Sequence, residues 1–156
     1  MKEQTIILPQ LPIVGNLKLS SRDGKSLCHI DVVRKQKGHI PTGFFKECLD
    51  EFESFLNART RQINLPLDFS GLTPFHARLL RQMAQIPYGK VATYKDLAEA
   101  INSKGFQAVG TACGKNPFML LCPCHRVVGS KDLGGFAHGL LMKKKLLHLE
   151  GSLPLM

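Results

Sequence analysis

The chain of 156 residues carries 21 Lys and Arg against 12 Asp and Glu, a formal charge of +9, and 44% of it is apolar. That apolar share suffices for a folded core, and no apolar run reaches the roughly 20 residues of a membrane-spanning helix. The five cysteines (Cys28, Cys48, Cys113, Cys122 and Cys124) are odd in number and irregularly spaced, which argues against a disulfide framework and for a reducing compartment. With no basic-then-apolar leader at the N-terminus, the expectation is a cytoplasmic protein, associated with the nucleoid in a prokaryote, and without a membrane partner. The charge is uneven. Residues 1–72 hold ten Lys/Arg against eight Asp/Glu, a balance of +2, whereas residues 73–156 hold eleven against four, a balance of +7. A basic half-chain fits a polyanionic partner such as DNA as well as it fits a merely soluble surface.

In chain order, Thr5 to Leu8, Val14 to Ser20 and Ser26 to Arg34 read as short strands, with a turn signal at Ser21-Arg22-Asp23-Gly24 between the last two. Phe45, Cys48, Leu49, Phe52, Phe55 and Leu56 recur at helical spacing. Asn64 to Gly71, around Pro66, reads as a linker. The expected division is therefore an α/β domain over 1–66, a connector over 67–72 and a second domain over 73–156. That second part is helical. Thr73-Pro74 is an N-cap with proline in the first turn, and Phe75, Leu79, Leu80 and Met83 form one apolar face, ended by Pro87-Tyr88-Gly89. Thr93 caps a second helix, with Asp96 placed for a capping box. A third helix holds Phe106, Val109, Gly110 and Cys113 and ends at Gly114-Lys115. Two short helices around a tight turn suggest a helix-turn-helix. Leu140 to Leu149 reads as the last helix, before Glu150-Gly151.

Chemistry concentrates at Pro123-Cys124-His125-Arg126-Val127-Val128. A thiol attacks carbon as thiolate, and His and Arg are the residue types that raise the ionised fraction. This motif resembles the active-site signature of the O6-alkylguanine-DNA alkyltransferases. The resemblance extends in order through Thr73-Pro74-Phe75, Ile86 to Val91, Thr93-Tyr94, Ala108-Val109-Gly110, Asn116-Pro117 and Leu146 to Gly151, about half of the chain. It implies an α+β protein: a small N-terminal ribonuclease H-like domain followed by a helical helix-turn-helix domain. It also implies single-turnover transfer of an alkyl group from O6-alkylguanine in double-stranded DNA to Cys124, after the nucleotide is flipped out. His125 would then be a water-mediated base and Glu150 its orienting carboxylate. Tyr94 would contact phosphate and base, Asn116 would brace the turn before the active-site strand, and Arg126 would brace the site through buried polar contacts. Backbone groups at Cys124 and Val127 would read the guanine edge. The helix carrying Gln107 and Ala108 would enter the minor groove. No cofactor and no metal are implied, and the protein is expected to be a monomer.

The sequence departs from the family pattern at three positions. Gln107 stands where an arginine usually fills the gap left by the flipped base, Phe136 where a tyrosine is usual, and His138 where glycine is common, which predicts a bulkier pocket rim. A zinc site at Cys122-Pro123-Cys124-His125 lacks the spacing that lets ligands converge. The competing readings are a cysteine hydrolase, whose signatures are absent, and an alkyltransferase-like lesion-binding protein without transfer activity. Relatives of the latter kind lack the nucleophile that this chain keeps at Cys124.

Overall fold

The computed structural model describes residues 3–34 and 36–152. The chain divides into two compact units, Met1–Gly71 and Leu72–Met156. The first is a three-stranded antiparallel sheet in the order β1 (Gln4–Leu11), β2 (Gly15–Ser21), β3 (His29–Val33), with helix α1 (Phe44–Leu56) packed on β1. Alternation along β2 turns Leu17 and Leu19 inward, and they are buried, as are Leu8, Ile30, Phe52 and Phe55. β1 runs three residues past the expected Leu8, because an irregularity between Leu8 and Leu11 lets the strand continue to the turn at Pro12. β3 starts three residues later than expected. The carboxylate of Asp23 collects the backbone N–H groups of Lys25 and Ser26, at 2.8 Å each, and holds this stretch as a loop.

The segment expected to be a linker is bonded to the first unit. Leu27 N–H donates to Pro66 O and Asp68 N–H to Leu27 O, and the Arg22 guanidinium reaches Asp68 at 3.2 Å and Ser70 at 3.1 Å. Nothing local marks this pairing, since its partners lie 40 residues apart.

The second unit contains α2 (Pro74–Met83), a two-residue strand β4 (Ala92–Thr93), α3 (Tyr94–Ala100), α4 (Phe106–Gly114), the strand β5 (Val127–Val128) and α5 (Leu140–Leu149). Thr73 caps α2 by accepting from His76 N–H, and Thr93 with Asp96 forms a complete capping box on α3. The α2 helix ends at Met83, ahead of Pro87-Tyr88-Gly89: Ala84 is its C-cap and Ile86 N–H closes a turn onto Met83 O. Proline disfavours helical backbone at the residue before it, which stops the helix early. Leu79, Leu80, Met83, Val109, Phe118, Leu146 and Leu147 are fully buried and form this unit's core. The whole is a mixed α and β fold with five α-helices among the described residues and a small antiparallel sheet.

Candidate active site

Two nonlocal anchors build the site. β4 and β5 pair in parallel, Ala92 with Val127 and Thr93 with Val128, so the cap of α3 is tied to the strand following the cysteine motif. After Pro123, residues Cys124–Arg126 form a single 3₁₀ turn closed by Arg126 N–H on Pro123 O. This turn presents its side chains to the end of α5, where the Glu150 carboxylate is fully buried. His125 Nε2 lies 2.8 Å from Glu150 Oε2, and Arg126 forks onto both oxygens, Nε to Oε1 at 2.7 Å and Nη2 to Oε2 at 2.8 Å. The third guanidinium nitrogen, Nη1, donates to Ile86 O at 2.7 Å. Gly89 lies against this end of the helix with φ of +79°, and a Cβ there would come within 3.1 Å of Glu150 O. Only glycine fits both demands.

The thiol of Cys124 opens on a cavity of about 120 Å³, walled by Gly110, Cys113 and Gly114 of α4, by Tyr94 and by Gly135 to Ala137. The Tyr94 hydroxyl accepts from Gly135 N–H at 3.3 Å and packs tightly over Gly134. Asn116 ties the approach to the motif: its Nδ2 donates to Cys122 O at 2.6 Å, and its Oδ1 accepts from Phe118 N–H at 2.8 Å.

Cys124 differs from Cys113 and Cys122 in taking a hydrogen bond from Asn116. Burial pushes the Cys113 and Cys122 thiols up to about 12. Burial raises Cys124 too, but a hydrogen bond from Asn116 and the charge of Lys143 act in the opposite direction. The thiol is therefore not ionised in advance by His125 and Arg126, as the bare motif suggests, because both of those side chains are turned onto Glu150. Burial lowers the pKa of His125 below its ordinary 6.5, outweighing the pull of Glu150 toward the charged form. A carboxylate oxygen only accepts, so in the neutral ring Nε2 carries the proton and Nδ1 holds the free lone pair. His125 Nδ1 is buried without a hydrogen-bond partner, the arrangement of a base awaiting a proton. Burial alone would raise Glu150, but the hydrogen bonds from His125 and Arg126 outweigh it and hold the carboxyl below the ordinary carboxylate value.

The site also contains a residue that the sequence does not announce. Lys143 is 0% exposed, and its Nζ donates to Val127 O at 2.6 Å and to Gly135 O at 2.8 Å. Val127 O, expected to read the guanine edge, thus already accepts a hydrogen bond from a buried ammonium group. His138 is not in the cavity wall. It packs edge-on against Phe136, ring centroids 5.5 Å apart, and Ala137 takes the lining position. Phe136 does line the cavity, whereas Gln107 and Ala108 lie exposed on the first turn of α4.

The sequence profile of "6-O-methylguanine DNA methyltransferase, DNA binding domain" matches residues 74–152. The chain belongs to the O6-methylguanine-DNA methyltransferase family. Among its relatives, a methylated-DNA–protein-cysteine methyltransferase of Metallosphaera sedula is 43% identical over 111 residues, 71% of this chain and 68% of the relative. Another from Methanosarcina barkeri is 34% identical over 146 residues, 88% of this chain and 91% of the relative. The crystal structure of Mycobacterium tuberculosis O6-methylguanine methyltransferase superposes with a TM-score of 0.82 at 28% identity, covering 97% of this chain and 94% of that one. The same mycobacterial protein in complex with DNA gives 0.79 at 29% identity, with 96% and 92% covered. The family profile begins at Pro74, yet these superpositions span both units, so the methyltransferase likeness in fold includes the sheet and α1. No helix among the described residues is long and apolar enough to cross a membrane.

Proposed function

We propose that this chain repairs O6-alkylguanine in double-stranded DNA by taking the alkyl group onto Cys124. The observation that carries this reading is the buried Cys124, His125, Glu150 constellation opening on a cavity whose other wall is the helix α4. The damaged nucleotide is flipped into the cavity beside Tyr94, since the O6 carbon is otherwise buried in the base stack. Sγ attacks the alkyl carbon, the S–C bond forms, and the C–O6 bond breaks with its electron pair leaving on guanine. The thiol proton passes through water to His125 Nδ1, and guanine takes up one proton as it leaves, so no net proton is consumed. Glu150 fixes the ring tautomer and stabilises the cation that forms. The thioether is not reversed by water, so each molecule acts once. No external cofactor takes part, because the DNA supplies the group.

In this reading α3 and α4 form a helix-turn-helix whose second helix enters the minor groove, the first unit is a ribonuclease H-like domain, and the protein acts as a monomer. Thr93 and Asp96 fix the start of α3, and the small residues Gly110 and Gly114 let the α4 backbone come close to the substrate. Intact-mass measurement after incubation with an O6-methylguanine duplex tests the reading. The expected result is the addition of one methyl group per chain and no second turnover. An unchanged mass in a protein that binds the duplex would instead support the lesion-binding alternative.

Gln107 weakens one step. An arginine at this position can stack its guanidinium and keep its charge near phosphates, whereas glutamine is shorter and neutral. Gln107→Arg is expected to speed transfer from duplex by several-fold, up to about tenfold, and from single strands by less, as measured by single-turnover kinetics on matched substrates. Equal gains on both would mean that Gln107 does not occupy the gap.

A further inference from the structure

Phe106 is the first residue of α4 and is 52% exposed, while Phe52, Phe55 and Phe118 are buried. Its place on the helix connects it to the cavity. Gly110 and Cys113, four and seven residues on, share its face, and both wall the pocket that holds the Cys124 thiol. Phe106 therefore lies one turn, about 6 Å of helical rise, from the pocket wall. Nothing stands within 4 Å of where a Cβ would project at Gly110 or Gly114, so this stretch of the helix is bare. Lys104 and Lys115 flank it at either end, both exposed. The surface thus joins an aromatic ring, two ammonium groups and the mouth of a base-sized pocket, and a nucleic acid strand supplies the matching phosphates and ring faces.

We infer that Phe106 is an apolar wedge that enters the base stack beside the extruded nucleotide. Apolar side chains that insert between base steps offset part of the cost of unstacking. The wedge compensates for the short, neutral Gln107, the next residue of the helix. This inference rests on the reading of α4 as the DNA-facing helix and adds a residue to that contact.

The chain has no tryptophan, so Phe106→Trp carries a single indole whose emission reports on this position alone. On binding an O6-methylguanine duplex, that emission is expected to be strongly quenched and shielded from iodide. Bright, iodide-accessible emission in a variant that binds the duplex would overturn the wedge. Phe106→Ala is expected to lower the ratio of the transfer rate on duplex to that on free O6-methylguanine by about tenfold. Adding Gln107→Arg to Phe106→Ala should recover more of the ratio than the same change gains in the parent. A ratio equal to that of the parent would also overturn the proposal. If the parent protein itself fails to bind or to repair the duplex, the DNA-facing reading of α4 falls and the wedge with it. A parent that repairs duplex but shows no effect at Phe106 removes the wedge alone.

Discussion

Cys124→Ser is expected to bind alkylated duplex and transfer nothing measurable from it, a drop of about 10⁴-fold or more. A hydroxyl in this position has the geometry of the thiol but neither its acidity nor its nucleophilicity toward carbon. A hydrogen bond from Asn116 favours the anion at Cys124, a contact that Cys113 and Cys122 lack, and burial pushes those two thiols up to about 12. Cys122→Ala should therefore still accept one methyl group. Peptide mapping after reaction checks both variants together: methyl must appear on the peptide carrying Cys124 and vanish in the serine variant. Methyl on Cys122 or Cys113 would refute the assignment of the nucleophile.

Glu150→Gln should damage stability and chemistry at once. The carboxylate holds His125 and both forks of Arg126 in a fully buried position. An amide offers one acceptor oxygen and turns its NH2 toward a donor, leaving a buried guanidinium short of its partner. Breaking a buried pair in this way costs about 3–5 kcal/mol, read as a lower denaturation midpoint at neutral pH. Because the folded-state pKa of Glu150 is depressed, its contribution to stability is present in full above its ordinary value of 4.5 and is lost as pH falls through the folded value. The stability gap between parent and variant should therefore narrow in acid. Transfer should slow by about 10²–10⁴-fold, since an amide can donate as well as accept and no longer selects the Nε2–H tautomer. In the parent, the His125 pKa is lowered, so the ring stays neutral and the rate holds from neutral pH down past 6.5 before falling. Removing the carboxylate, which raises that pKa, should shift the acid limb of the variant lower still. A variant with parental rate and stability would strip Glu150 of both roles.

What was legible in the sequence was what is encoded locally. The caps at Thr73 and Thr93 depend on contacts three residues apart, and the bounds of α5 follow from a run of helix formers stopped by Gly151. The Cys124, His125, Glu150 convergence was legible only through the resemblance, because nothing in spacing alone brings Glu150 to His125. Lys143 escaped altogether. It is the first of three consecutive lysines, and composition treats such a run as a solvated face, yet the turn of α5 points this one inward while Lys145 stays exposed. The only sequence signal was its register: Lys143 lies three and four residues before the buried Leu146 and Leu147, on the apolar face. The pairing of Leu27 with Leu67 was equally hidden, since it is set by tertiary packing.

Several contacts that frame the site are long-range in sequence. Arg126 reaches back 40 residues to Ile86, Gly135 donates to Tyr94 across 41, and Tyr88 reaches Leu149 across 61. Contacts of this kind stabilise the chain only once the loop entropy of closing them has been paid. Until α5 docks, Cys124 lacks the charge of Lys143 and His125 lacks the carboxylate of Glu150. The unfolded chain thus carries an ordinary cysteine, and the capacity to be alkylated in this site arrives only when α5 docks. For a protein that can react once, transfer in this site is thereby tied to a complete pocket.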